Sequence, residues 1–193
     1  MRSLCVFCGS STGDDPAYAS AAGELAVAMV AGGMRLVYGG GSVGLMGIIA
    51  DAMLAAGGEV VGVIPRALWE REVGHRGLTD LRIVETMHER KALMAEVADG
   101  FVAMPGGIGT LEEFFEVWTW AQLGVHGKPC GLLNSGGYYD SLLTFIDQMV
   151  ARKLLKGAHR EMVIVEREPR MLLQRFAAYR APSVAKWIDG KAT

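Results

Sequence analysis

Short apolar runs alternate with helix-length patterns along almost the whole chain, and three of those runs end in glycine-rich turns. No other feature constrains the fold as strongly. Strand followed by helix, repeated, builds a parallel sheet covered on both faces. The strand-like runs fall at residues 4–7, 36–38, 60–64, 82–84, 101–104, 130–133 and 162–165. The first helix opens at Asp15-Pro16, an N-cap followed by proline at the first helical position, and stops at Gly32-Gly33. A second follows Gly44 and ends at Gly57-Gly58, and others are expected over 87–98, 110–123, 138–150 and 169–179. Thr86 and Glu89 have the spacing of a capping box for the 87–98 helix. The expected architecture is a three-layer, Rossmann-like α/β fold with a doubly wound, mostly parallel sheet. It occupies a single nucleotide-binding domain over 1–180, with a C-terminal tail at 181–193.

Composition narrows the partners. The 193 residues suffice to bury a substantial core. With 19 basic against 21 acidic residues the net charge is −2, so no nucleic-acid-binding face is expected. No apolar run approaches the ~18 residues of a membrane span, and no secretory leader pattern is present. Three cysteines, an odd number, fit a reducing, cytoplasmic setting. Cys5 and Cys8 have redox spacing but fall within a strand, where their thiols face opposite sides, so both are expected to be buried and structural. The four histidines share no ligand spacing with cysteines or acids, and no metal or other cofactor is expected.

In folds of this class, ligands bind beyond the carboxyl ends of the strands, where the strand order reverses. The turns Gly9-Ser10-Ser11, Gly39 to Gly44 and Gly106 to Gly109 all follow strands, so a parallel sheet opens them on one edge. Each could simply turn the chain tightly; three together point to a nucleotide-sized ligand. Gly9, Ser10, Gly40 and Gly41 are the candidate contacts on the first two. Gly39-x-Gly41-x-x-Gly44 matches a dinucleotide fingerprint, but the next strand ends in Val63-Ile64-Pro65 without the acidic residue that would hold a ribose. Hydride transfer is therefore disfavoured. Without a Gly-x-x-x-x-Gly-Lys-Ser/Thr run, so is a P-loop kinase or ATPase.

Residues 105–113 read Pro-Gly-Gly-Ile-Gly-Thr-Leu-Glu-Glu at a strand-to-helix turn. Glycines there let backbone N–H groups approach a ligand, and a helix N-terminus attracts a phosphate. Thr110-x-x-Glu113 also has capping-box spacing, which would account for both residues without chemistry. The two roles can coexist, because a cap aims a carboxylate. Arg90-Lys91 stand early in their helix, where cations oppose the dipole, and a phosphate or ribose would justify them. The stretch 114–123 is apolar nearly all round and is expected to be buried, in part by a second subunit. The charged segment 66–80 reads as an irregular loop and a candidate lid.

Several of these motifs occur together and in order in a known family. Cys8-Gly9-Ser10-Ser11, Tyr38-Gly39-Gly40-Gly41, Gly44-Leu45-Met46-Gly47, Met87-His88-Glu89-Arg90-Lys91, the 105–113 run and Thr119-Trp120-x-Gln122-Leu123-Gly124 resemble the Lonely guy (LOG) family over about 3–155. Its members are cytokinin riboside 5′-monophosphate phosphoribohydrolases, often mislabelled lysine decarboxylases. The resemblance implies hydrolysis of the N-glycosidic bond of an adenosine 5′-monophosphate, plain or N6-prenylated, in a homodimer without a cofactor. By position it makes Arg90 and Glu113 the catalytic pair, and Glu72, Lys91, Gly107, Ile108, Gly109, Thr110 and Thr119 substrate contacts. The alternative is a non-catalytic nucleotide or cofactor carrier using the same turns.

Overall fold

The computed structural model describes residues 1–71 and 74–182, so Glu72 and the tail beyond Pro182 lie outside the described residues. The described residues form seven strands and eight α-helices: β1 (Ser3–Phe7), α1 (Pro16–Ala31), β2 (Arg35–Tyr38), α2 (Gly44–Ala55), β3 (Val60–Pro65), α3 (Arg66–Trp69), β4 (Asp80–Val84) and α4 (Met87–Val97) in the first half. The second half adds β5 (Phe101–Ala103), α5 (Ile108–Gln122), β6 (Cys130–Leu133), α6 (Asp140–Ala151), α7 (Gly157–Arg160), β7 (Val163–Glu166) and α8 (Pro169–Ala178). The strands form one sheet in the order β4-β3-β2-β1-β5-β6-β7. Every pairing is parallel, with Cys5 opposite Val37 on one side of β1 and Val6 opposite Val102 on the other.

The period-two alternation of a strand sorts its side chains between two cores. Leu4, Val6, Leu36, Tyr38 and Val102 pack with α1, α2 and α8 on one face. Cys5, Phe7, Val37, Phe101 and Ala103 pack with α4, α5 and α6 on the other. That is the expected three-layer, doubly wound arrangement, and Cys5 and Cys8 fall on opposite faces, both buried and free. Among the described residues no helix is long and apolar enough to cross a membrane.

Local chemistry moves some boundaries. The 138–150 helix begins later, at Asp140, behind a 3₁₀ turn over Ser135–Gly137. Gly136 and Gly137 have φ of 62° and 74°, which an α-helix cannot contain, and Asn134 binds both the Tyr139 N–H and the Asp140 carboxylate. The segment after β3 is not wholly irregular: α3 occupies its start, and Gly74 pairs with Gly41. Thr86 and Glu89 do form the capping box of α4.

At the start of α2, Gly44 has φ of 60° and lies against the Ser10 backbone, so that a Cβ there would overlap it. Left-handed backbone and backbone overlap both oppose a side chain. Gly44→Ala is expected to lower unfolding free energy by about 2 kcal/mol or more, read as a lower urea midpoint at unchanged m.

Candidate active site

The strand order reverses between β1 and β5, and the chain leaves these neighbours toward opposite faces, opening a crevice at their carboxyl ends. The two turns are stitched together across it. The Gly9 N–H donates to the Pro105 carbonyl at 3.0 Å. A Cβ at Gly9 would come within 2.9 Å of the Ser11 carbonyl oxygen, and one at Gly106 would overlap the Thr110 hydroxyl and come within 2.8 Å of the Gly9 nitrogen, so both positions demand glycine. The Gly9 carbonyl in turn accepts the Leu45 N–H at 3.0 Å and the Met46 N–H at 3.4 Å. The N-terminus of α2 is thus spent on the protein itself, which removes the donors a dinucleotide pyrophosphate would need.

The N-terminus of α5 is different. Its cap residue is Gly107, no side chain caps it, and the first helical bond runs from the Leu111 N–H to the Gly107 carbonyl at 3.2 Å. The N–H groups of the first turn are left for a ligand. The expected Thr110–Glu113 capping box is therefore absent. Thr110 is the third helical residue, buried with its hydroxyl over Gly106, and Glu113 is turned to another partner. The helix begins at Ile108, with its cap at Gly107, three residues before Thr110.

That partner is Arg90. Its Nη1 lies 2.9 Å from Glu113 Oε1, and each residue is only 8% exposed. Arg90 Nε donates to the Val63 carbonyl at 3.2 Å, and Nη1 approaches the Met87 sulfur at 3.9 Å. Gly39 completes the seat: a Cβ there would overlap the guanidinium. Burial pushes the Glu113 carboxyl above its ordinary value, and the Arg90 charge opposes that rise. The Cys8 thiol beside them is pushed up by burial and by the Glu113 charge, which leaves it a neutral wall rather than a nucleophile.

A cleft of about 310 Å³ brings the candidates together: Gly9, Ser10, Arg90, Gly107, Ile108, Gly109, Thr110 and Glu113 line it, with Cys8, Met46, Met87 and Glu112. A second lobe of about 270 Å³ shares Gly9, Ser10 and Gly107 and adds Ser11, Thr12, Tyr18 and Tyr138. Together they reach the size of a small-molecule site. A larger groove of 620 Å³ between α1 and the start of α8 holds no buried ion pair.

The remaining candidates fall elsewhere. Lys91 Nζ is bound to Glu112 at 2.6 Å and Glu116 at 3.1 Å, linking α4 to α5. Gly40 packs under Ile64 and Gly41 pairs with Gly74, neither lining the cleft. Thr119 is exposed, two turns along α5 from Glu112. The side chains missed in the sequence are Met46, Met87 and Cys8, together with the Gly39 seat. All four stand inside the motifs quoted in the sequence, which is the signal they carry.

Fold and site define a class: a Rossmann-like α/β protein in which an open helix N-terminus and a buried Arg–Glu pair share one cleft at the topological switch point. The family described as "Possible lysine decarboxylase" matches residues 46–176. The chain is 49% identical over 179 residues to the probable cytokinin riboside 5′-monophosphate phosphoribohydrolase LOGL6 of Oryza sativa subsp. japonica, covering 93% of this chain and 72% of the rice protein. It is 48% identical over 180 residues to the cytokinin riboside 5′-monophosphate phosphoribohydrolase LOG5 of Arabidopsis thaliana, covering 93% and 79%. The chain belongs to this LOG family. Among solved structures it shares its fold with the structural-genomics target TM1055 (TM-score 0.71, 23% identity, covering 93% of this chain and 100% of that one). A molybdenum cofactor binding protein of Rippkaea orientalis is also similar in fold (TM-score 0.69, 18% identity, 92% and 96% covered).

Carbon-13 NMR titration of the Glu113 carboxyl is expected to give a midpoint above the ordinary 4.5. Gly39→Ala, by pushing the guanidinium away, should raise it further. A midpoint at or below the ordinary value would contradict the burial described.

Proposed function

We propose that this chain hydrolyses the N-glycosidic bond of a purine nucleoside 5′-monophosphate, a cytokinin riboside 5′-monophosphate or AMP, to free base and ribose 5-phosphate. The observation that carries this is the buried Arg90–Glu113 pair in the same cleft as the uncapped first turn of α5. The names of the plant relatives describe the same chemistry.

Cleaving a glycosidic C–N bond builds positive charge on the ribose in an oxocarbenium-like transition state. Ionised Glu113 stabilises that charge and orients the attacking water, whose oxygen bonds to the anomeric carbon while the base departs with the bonding electrons and takes up a proton from solvent, balancing the proton the water gives up. A carboxyl raised by burial is a better proton acceptor for the water than an ordinary one. Arg90 holds Glu113 ionised and aimed. The N–H groups of Gly107, Ile108, Gly109 and Thr110 anchor the 5′-phosphate, and the Gly9-Ser10 turn forms the facing wall. Lys91 acts from the side as a brace. Its hydrogen bonds to Glu112 and Glu116 hold the ammonium above its ordinary value, so it stays charged and is unsuited to the imine that lysine decarboxylation requires.

Incubation with AMP and with isopentenyl-AMP is expected to release free base from at least one. Measurable binding with no base released from either would leave a carrier instead. Glu113→Gln should lower turnover by about two orders of magnitude or more while the protein stays folded. Unchanged turnover in that variant would remove Glu113 from the chemistry.

The same proposal makes the protein a cytoplasmic homodimer. Three buried free thiols suit a reducing compartment. Leu123 and Val125, at the end of α5, are 52% and 69% exposed and offer an apolar face to a second copy. Light scattering should give twice the chain mass, and Leu123→Glu with Val125→Glu should halve it.

A further inference from the structure

Two adjacent tyrosines reach across from the start of α6 to the turn between β5 and α5. Tyr138 donates its hydroxyl hydrogen to the Gly106 carbonyl at 2.6 Å, and Tyr139 donates to the Met104 carbonyl at 2.6 Å. The two bonds have different consequences. In a trans peptide, the C=O of one residue and the N–H of the next point in opposite directions, and the described residues contain no cis peptide. A hydroxyl that holds the Gly106 oxygen on one side therefore holds the Gly107 N–H on the other. Tyr138 lies in the outer lobe with Tyr18, whereas Gly107 also lines the lobe that contains Arg90 and Glu113. The Met104 carbonyl, by contrast, precedes Pro105, which has no N–H to aim.

We infer that Tyr138 is a positioning residue for the substrate's phosphate: by gripping the Gly106 carbonyl it turns the Gly107 N–H into the cleft as a preset anion donor. This rests on the phosphate-anchoring role given to the first turn of α5 above. The tyrosine is itself well placed for the task. The positive φ angles of Gly136 and Gly137 and the Asn134 bond to the Tyr139 N–H set the approach of the 138–139 segment. The Tyr138 ring is braced edge-on against Tyr18 at 5.5 Å. Tyr139 is fully buried and serves the core. The pair thus contains its own control.

Calorimetric binding of ribose 5-phosphate tests this without requiring turnover. Tyr138→Phe is expected to weaken binding about tenfold, the scale of one hydrogen bond to a charged group, with the melting temperature kept. Tyr139→Phe is expected to lower the melting temperature and leave the affinity unchanged. Wild-type affinity in Tyr138→Phe, or equal losses in both variants, would overturn the inference. In the ¹⁵N-labelled wild type, the Gly107 amide resonance is expected to move as ribose 5-phosphate is added. An unmoved resonance, or no binding by the wild type at all, would also overturn it. Absence of base release from AMP would remove the hydrolase assignment alone, since ribose 5-phosphate binding is read separately.

Discussion

A carboxylate and a guanidinium buried 2.9 Å apart need more than their mutual attraction to stay where they are. Removing both from water costs several kcal/mol each, and the attraction repays this only when geometry and further hydrogen bonds are favourable. The fold supplies those conditions from four directions. The Thr86–Glu89 box fixes the start of α4 and so the azimuth of Arg90. The last residues of β3 offer the Val63 carbonyl, and the end of β2 offers a glycine with no side chain in the way. The first turns of α5 bring Glu113 in from the other side of the switch point. Strands β1, β2, β3 and β5 are adjacent in the sheet, so the pair sits over the one place where all four deliver their carboxyl ends together.

The two helix N-termini at this edge show how one motif serves two ends. Both α2 and α5 follow glycine-rich turns after parallel strands. The first N–H groups of α2 meet the Gly9 carbonyl, and their positive end of the dipole is neutralised by the protein's own backbone. Among the described residues the first turn of α5 meets no such acceptor. An internal carbonyl therefore decides which of two glycine turns remains open to an anion, and the decision rests on the close approach of Gly44 to Ser10.

Much of the fold is legible in the sequence because it depends on patterns within a few residues. Strand and helix alternation, the Asp15-Pro16 start and the Thr86 box are local, and all appear where their chemistry puts them. The family motifs likewise mark Arg90, Glu113 and the α5 turn, which line one cleft. What the sequence conceals is contact between distant segments. Thr110 and Glu113 have the spacing of a cap, yet the helix is capped earlier, at Gly107, and Glu113 pairs with Arg90 from a distant segment. Gly40 and Gly41 have the spacing of a phosphate loop, yet they are occupied by β3 and by Gly74. The apolar character of 114–123 suggests burial on every side, whereas within one chain Thr119 and Leu123 stay exposed.

The same two helices carry two ion pairs side by side, and burial separates their roles. Lys91 with Glu112 and Glu116 links α4 to α5 toward solvent: the Glu112 side chain is 53% exposed. Such partly solvated pairs contribute little to stability singly, but one ammonium shared between two carboxylates a helical turn apart resists rotation of either helix. Arg90 with Glu113 lies on the inner side, desolvated, where a charge interacts far more strongly with whatever enters the cleft. Consecutive residues on α4, and consecutive residues on α5, thereby divide between holding the helices in register and meeting the ligand. That division explains why two neighbouring acids with the same chemistry are not interchangeable: Glu112 steadies the frame in which Glu113 is aimed.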